Sequence, residues 1–236
     1  MCIRDRHSNG AWRTPFDPFR LGHDHNTAND FTEGNAFQYT WHVLQDPEGL
    51  IAAMGGRASF VKRLDALFAQ PERTEGMGFV GDVTGLIGQY AHGNEPSHHV
   101  AYFYALAGRP DRTAEVVREV CDRFYGVGPG DLCGNDDCGQ MSAWYVFAAM
   151  GFYPFNPCSG EYVLGAPQFP EVRLALPGGA SFRVVAKNLS RANKYVKSVT
   201  LNGRPLAGPR LKHADVVSGG ELVFEMTAHG RDTPVP

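Results

Sequence analysis

Between residues 82 and 150 the chain twice sets a dense polar cluster directly before an apolar helical run, and this alternation constrains the fold more than any other feature. The first cluster, His92-Gly93-Asn94-Glu95-Pro96-Ser97-His98-His99, leads into Val100, Ala101, Phe103, Tyr104, Leu106 and Ala107. The second, Gly134-Asn135-Asp136-Asp137-Cys138-Gly139-Gln140, leads into Met141, Trp144, Tyr145 and Ala148. Helices this apolar must be buried on most faces. Carboxylates, amides and imidazoles anchored at their mouths are then held where a folding chain would rather leave them in water, which points to a site.

The rest of the chain supplies partners for those helices. Residues 1–29 read as an irregular lead-in rich in Asn, Asp, His, Gly and Pro. A helix is expected from Thr32 and Glu33 through the bulky run Ala36, Phe37, Tyr39, Trp41, Val43 and Leu44, ended by the turn Asp46-Pro47-Glu48-Gly49. A short amphipathic stretch over 50–54 precedes a helix over 58–68, in which Phe60, Val61, Leu64, Leu67 and Phe68 recur at helical spacing. Residues 82–90 read as loop, because two glycines interrupt them. Pro96 suits the first turn of a central helix, and 112–124 has one apolar face (Val116, Val117, Val120, Cys121, Phe124) and one charged face. Inner apolar helices alternating with amphipathic outer ones describe a helical barrel or layered array.

From Phe152 the texture changes. Prolines and glycines punctuate short runs, and 172–176, 182–186, 196–201 and 221–226 alternate with period two, as strands do. Asn202-Gly203 signals a hairpin. The expected organisation is a helical unit over 30–156 and an antiparallel β-sandwich portion over 157–236.

Charge narrows the partners. With 22 basic against 25 acidic residues and no Lys/Arg run, nothing suggests nucleic acid or an anionic membrane, which leaves a small molecule or a glycan. No apolar run is long enough to insert in a bilayer, and the first residues lack a signal peptide's apolar stretch. The polar, Pro-containing opening reads as the start of a fragment. Five cysteines cannot all pair within one chain; Cys133 and Cys138 flank the Asn135-Asp136-Asp137 loop, and free thiols are the expectation.

Three acidic positions stand near predicted helix starts: Glu33, Glu95 and the pair Asp136/Asp137. Two carboxylates flanking a glycosidic bond are the minimum for its hydrolysis, one protonating the leaving oxygen and the other activating water. Each acid is equally readable as a helix cap. His92, Glu95 and His98 invite a zinc reading, against which Gly93 and Pro96 break the helix that zinc-binding histidines share. A hard ion such as calcium would instead use Asn94, Glu95 and the Asp136/Asp137 carboxylates. Nearby aromatic residues suit sugar stacking or the core, and His23, Asp24 and His25 suit the mouth of a site or a solvated loop.

Taken in order, Thr32-Glu33-Gly34-Asn35-Ala36-Phe37-Gln38-Tyr39-Thr40-Trp41, the His92 to His99 motif, and Gly134 through Gln140 with Met141-Ser142-Ala143-Trp144-Tyr145 resemble glycoside hydrolase family 92, the calcium-dependent exo-acting α-mannosidases. The resemblance runs from about residue 12 to the C-terminus. It implies an α+β multidomain protein: the C-terminal part of an (α/α)6 catalytic barrel followed by β-structure, with an N-terminal β-sandwich domain of the full enzyme absent and expected to complete the active site. It implies hydrolysis of terminal α-linked mannose, often α-1,2, with inversion, on mannose-containing glycans in the periplasm or outside the cell. By the same resemblance Glu33 matches the general acid and Asp137 the general base, with Asp136 and Asn135 helping to orient water. Asn94 and Glu95 match the calcium region, and Gln38, Trp41, His92, His98 and Gln140 are expected to touch substrate. The competing expectations are a glycan-binding fragment without activity and a zinc hydrolase on His92, Glu95 and His98.

Overall fold

The structure, a computed structural model, describes residues 16–21, 31–76 and 81–230, so His23, Asp24 and His25 lie outside the described residues. Strand β1 (Arg20–Leu21) runs parallel to β2 (Glu75–Gly76). Helix α1 (Ala36–Tyr39) starts three to four residues later than the sequence suggests for a simple reason: Asn35, not a residue before it, is the N-cap. The Asn35 side chain accepts from the Phe37 and Gln38 N–H groups, and the Gln38 side chain accepts from the Asn35 N–H, a complete capping box. The helix is a single turn, and residues 42–45 run on as irregular backbone rather than helix.

Helices α2 (Pro47–Ala53) and α3 (Arg57–Phe68) follow. On α3, Phe60, Leu64 and Leu67 turn inward while Lys62 and Arg63 stay in solvent. The segment read as loop contains a small hairpin, β3 (Leu86–Ile87) with β4 (Tyr90–Ala91). The central helix is real but broken: 3-10 turns at Glu95–Ser97 and Val100–Tyr102 precede α4 (Phe103–Leu106). Every residue from Ser97 to Ala107 is buried. Its buried imidazoles bond inside the protein, His98 to the His92 carbonyl and His99 to the Trp41 carbonyl.

Helix α5 (Pro110–Phe124) lies against it, its apolar stripe of Val116, Val117 and Val120 inward. Thr113, fully buried on α5, donates to the Ala101 carbonyl and accepts from the Ala105 N–H, both at 2.9 Å, so neither end of its hydroxyl is left unpaired. Trp41, Phe60 and Phe103 meet edge-on beneath these helices, with Phe60 about 5 Å from each of the other two rings (5.4 and 5.3 Å). Helix α6 (Gln140–Met150) is capped by the left-handed Gly151, whose added Cβ would crowd Pro167.

Strands β5 (Phe152–Tyr153), β6 (Glu161–Leu164) and β11 (Arg210–Lys212) form one sheet in the order β11-β6-β5. A second sheet runs β10-β9-β12-β8-β7, from β7 (Glu171–Ala175), β8 (Ser181–Lys187), β9 (Tyr195–Leu201), β10 (Arg204–Pro205) and β12 (Gly220–Thr227). Its strands fall within a residue or two of those predicted, and the Asn202-Gly203 turn between β9 and β10 has both residues at positive φ. The expectation of an all-antiparallel arrangement needs correcting. β12 inserts between β9 and β8 and pairs with β8 in parallel, from Gly220 opposite Phe182 to Glu225 opposite Lys187. Period-two alternation gives the face of each side chain but not the direction of its neighbour, so sequence alone could not show this.

The two sheets share one apolar core: Phe152, Leu164 and Leu211 from the smaller pack with Phe182, Val184, Leu222 and Phe224 from the larger. Ala114 of α5 and Met150 of α6 enter that core, while Tyr153 and Val163 enter the helical one. The two cores therefore interlock, and α6 with its cap leads straight from one to the other.

Candidate active site

Four loops converge at the mouths of α1, the central helix and α6: the first carries Glu33, the second Asn94 and Glu95, the third is the 82–85 turn, and the fourth carries Asn135 and Asp137. Asn94 reaches back from the second to the first, its Nδ2 donating to the Glu33 carbonyl at 2.6 Å. The His92 and Gly93 N–H groups donate to the carbonyls of Gly85 and Thr84, fixing the second loop on the 82–85 turn. Asn135 of the fourth loop donates through Nδ2 to an Asp82 carboxylate oxygen at 2.7 Å. Glu95 and Asp137 meet carboxyl to carboxyl. Partial burial lifts the Glu95 carboxyl above its ordinary range; its own backbone N–H opposes this, and the charge and hydrogen bond of Asp137 and the charge of Asp82 add to it.

The backbone at the two acids is unusual. Among the described residues, five non-glycine residues have positive φ, and Glu33 (+51°) and Asp137 (+48°) are two of them. Cys138 (+57°) and Gly139 (+100°) extend the run after Asp137. Left-handed backbone costs a residue with a Cβ about 1–2 kcal/mol, and it persists only where the surroundings over-determine it, as they do at functional sites. Around Glu33, Gly34 packs so closely on the Tyr39 ring that an added Cβ would sit 2.8 Å from it. The Tyr39 hydroxyl donates to the Thr32 carbonyl, and burial, then the Glu33 charge, raises its pKa. The first loop is thus pinned on both sides of Glu33.

Asp136 and Asp137 part company in three dimensions. An Asp136 carboxylate oxygen accepts from both the N–H (2.9 Å) and the hydroxyl (2.8 Å) of Ser142, and its carbonyl accepts from Met141 and Gly139. This carboxylate serves as a cap on the first turn of α6. The left-handed turn that follows it sends Asp137 to Glu95.

The residues expected to touch substrate lie mostly behind the loops. Gln38 is spent inside the protein: Oε1 accepts from the Asn35 N–H and Nε2 donates to the Gln89 carbonyl. Gln89 closes the knot by accepting from Asn35 Nδ2 and donating to the Pro71 and Arg73 carbonyls. Trp41 is buried in the helical core and bonds inward through its backbone, the N–H donating to the Gln38 carbonyl and the carbonyl accepting from the Val43 N–H and from His99 Nε2–H at 2.7 Å.

His92 is fully buried between two tyrosines, Nδ1 at 2.8 Å from the Tyr90 hydroxyl and Nε2 at 2.7 Å from the Tyr125 hydroxyl. Tyr125 gives its only proton to the Met141 carbonyl, so His92 Nε2 must donate to it and Nδ1 must accept from Tyr90. The ring is neutral, in keeping with burial and then the His98 charge pulling its pKa well down. His98 donates through Nε2 to the His92 carbonyl and accepts at Nδ1 from Gln140 Nε2; burial lowers it to about 4. With all four ring nitrogens engaged, His92 and His98 offer nothing to zinc, and the zinc reading falls. Gln140, half-buried, orients His98 from the edge of the site. Trp144 completes this layer: fully buried, it donates Nε1–H to the His98 carbonyl and lies edge-on to the His92 ring at 4.3 Å.

Sequence reading missed Asp82, Asn35 and Gln89. Asn35 carried a cap signal in the spacing to Gln38; Asp82 and Gln89 had none, since their partners lie 53 and 54 residues away. Among the described residues no three His, Cys, Asp or Glu side chains gather at metal-holding distance, and Cys121, Cys133, Cys138 and Cys158 are free thiols. No described helix is long and apolar enough to cross a membrane. A groove of about 790 Å³ over α3 and α5 is lined by Asp65, Arg112 and Glu119 among others and includes none of the site residues.

Residues 1–228 match the model of the Glycosyl hydrolase family 92 catalytic domain. A curated relative, an uncharacterized secreted glycosidase of Arthroderma benhamiae, is 31% identical over 194 residues, 80% of this chain and 23% of that protein. Among solved structures, a family GH92 alpha-mannosidase from Bacteroides thetaiotaomicron in complex with mannoimidazole is 42% identical with a TM-score of 0.85, across 96% of this chain and 30% of that one. A family GH92 inverting mannosidase from the same organism is 39% identical with a TM-score of 0.77, across 94% of this chain and 30% of that one. The chain therefore spans less than a third of the length of these relatives.

Proposed function

The chain belongs to glycoside hydrolase family 92, and from that premise we propose that it removes terminal α-linked mannose, α-1,2-linked in particular, from glycans with inversion at the anomeric carbon. The mixed helical and sheet architecture matches solved mannosidases of the family. We read the helical part as a portion of an (α/α)6 barrel and the two sheets as its C-terminal sandwich. The observation that carries the reading is that the two acids, Glu33 and Asp137, both occupy left-handed backbone on loops tied together through Asn94 and Glu95.

In this reading Glu33 is the general acid and protonates the leaving glycosidic oxygen, while Asp137 is the general base and takes a proton from the attacking water. Inversion needs their carboxyls roughly 6.5–9.5 Å apart in the substrate complex, room for one water. Asn135 orients the loop that carries Asp137, and Asp136 holds that loop on α6. Gln140, at the edge, is the expected substrate contact that keeps surface; His92 and His98 act from behind by fixing the second loop.

Calcium suits the donors at the second loop. It prefers several hard oxygens, and Glu95 offers a carboxylate that meets that of Asp137, a repulsion a cation would relieve. Asn94 has one oxygen lone pair to give, because Nδ2 is spent on Glu33 and Oδ1 already accepts from the Glu95 N–H at 3.2 Å. These two residues would hold the ion with the remaining positions left to water and sugar hydroxyls, and it would supply charge that favours a distorted, oxocarbenium-like ring.

A second reading is glycan binding without turnover, in line with Gln38, His92 and His98 spending their polar atoms inside the protein. Release of mannose from an α-1,2-mannobiose, with calcium and with chelator, decides between them. The first reading predicts calcium-dependent release that Glu33→Gln abolishes; binding of the disaccharide with no release would favour the second. We also place the protein outside the cytoplasm, periplasmic or secreted, in line with the description of its fungal relative as secreted.

A further inference from the structure

We propose that Asp82 is the positioning residue for the loop that presents Asp137, acting through the amide of Asn135. The proposal deepens the hydrolase reading above and rests on it only for its kinetic arm. Asp137 cannot hold its own place: it and Cys138 both occupy left-handed backbone on an exposed stretch, so the conformation must be imposed from outside. One anchor is local, Asp136 capping α6. That anchor secures the exit of the loop and leaves its entry to other contacts.

The entry is secured by the 82–85 turn. Asp82 accepts the Thr84 N–H on its carbonyl, closing the turn, and presents its carboxylate to Asn135 at 2.7 Å. The turn is built for contact without side chains. A Cβ on Gly93 would lie 2.2 Å from the Thr84 hydroxyl oxygen and 2.7 Å from the Asp82 carbonyl; one on Gly134 would lie 3.0 Å from the Gly93 carbonyl; one on Gly85 would lie 2.6 Å from the Cys133 sulfur. Three backbones therefore cross within van der Waals distance: the turn bearing Asp82, the strand leading to Glu95 and the loop leading to Asp137. Asp82 is the acid at that crossing, and it engages the residue two positions before the base. A hydrogen bond to a charged acceptor is strong enough to choose one loop conformation over its competitors.

The polarity of this pair is specific. Asn135 donates and Asp82 accepts, so an aspartate at 135 would face a second carboxylate at hydrogen-bond distance, while exchanging the two residues restores a donor opposite an acceptor.

The test is a cycle of Asp82→Ala, Asn135→Asp and the exchanged double variant Asp82→Asn/Asn135→Asp in the full chain. Hydrogen–deuterium exchange of 133–139 is read against β12 as an internal standard, with kcat and KM on an aryl α-mannoside alongside. Expected are about tenfold faster exchange confined to 133–139 in both single variants, kcat lowered at least tenfold with KM little changed, and recovery of both in the exchanged pair. Unchanged exchange at 133–139 in the single variants, or no recovery in the exchanged pair, would overturn the proposal. If the wild-type chain releases no mannose, the kinetic arm reports on the hydrolase reading and the exchange arm alone decides the role of Asp82.

Discussion

Acidification should unfold this protein through its buried histidines, and the size of the effect can be worked from two of them. His98 and His99 are each 2% exposed. Burial is the largest influence on both, partly opposed by the carbonyl that each ring donates to, and it leaves each with a pKa of about 4 against an ordinary 6.5. A histidine that resists protonation in the fold takes up its proton on unfolding, so the unfolded state binds more protons and stability rises with pH. The stabilisation is complete above 6.5, begins to be lost as the pH falls through that value, and is fully lost below about 4. At pH 5 each ring costs about 2 kcal/mol relative to pH 7, so the pair costs about 4 kcal/mol, a large fraction of a domain's total stability. Urea unfolding at pH 7 and pH 5 measures the loss. His99→Gln keeps a donor for the Trp41 carbonyl and removes the titration, so the variant should lose about 2 kcal/mol less over the same interval. A wild-type midpoint that does not move between pH 7 and 5, or a variant with the full wild-type slope, would refute the reasoning.

Other consequences follow from the loops. Gln38→Ala leaves the Asn35 N–H and one Gln89 carbonyl without their partners in the interior, and should cost about 2–3 kcal/mol in chemical denaturation while leaving the strands of the larger sheet intact by circular dichroism. Gly93→Ala drives a methyl into Thr84 and the Asp82 carbonyl, and should lower stability by about 1–3 kcal/mol and abolish mannose release, read by thermal melting and a reducing-sugar assay. Asp136→Ala removes the cap on Ser142 and should cost about 1 kcal/mol, with a fall in activity smaller than that of Asp137→Asn; an equal fall would give Asp136 a direct part in the chemistry.

Much of this was legible in the residues. Helices α3 and α5 declare themselves by apolar spacing, and the four long strands by alternation and by Asn202-Gly203, because local periodicity is what these elements are made of. The loops of the site were legible as motifs. What each polar residue does there was not. Gln38, His92 and His98 have the chemistry of substrate contacts, and they sit in the stretches that the family motifs mark. Whether their polar atoms face a sugar or the protein depends on partners such as Gln89, Tyr90 and Tyr125, and no sequence spacing encodes these contacts. Asp136 and Asp137 are neighbours in sequence and separate in role, because the backbone turns left-handed at Asp137 itself, so its carboxylate meets Glu95 while that of Asp136 stays on the first turn of α6. The parallel pairing of β12 with β8 stayed hidden for the same reason: register and direction are long-range facts.

The central claim is that Glu33 and Asp137 act as acid and base on opposite sides of a mannosidic bond. Proton NMR of the first sugar released from an α-mannoside, with calcium present, tests it most directly. The account predicts that β-mannose appears first and mutarotates afterwards, and that Glu33→Gln and Asp137→Asn each lower the rate by about 10²–10⁴-fold. First release of α-mannose, or a rate that survives both substitutions, would contradict it.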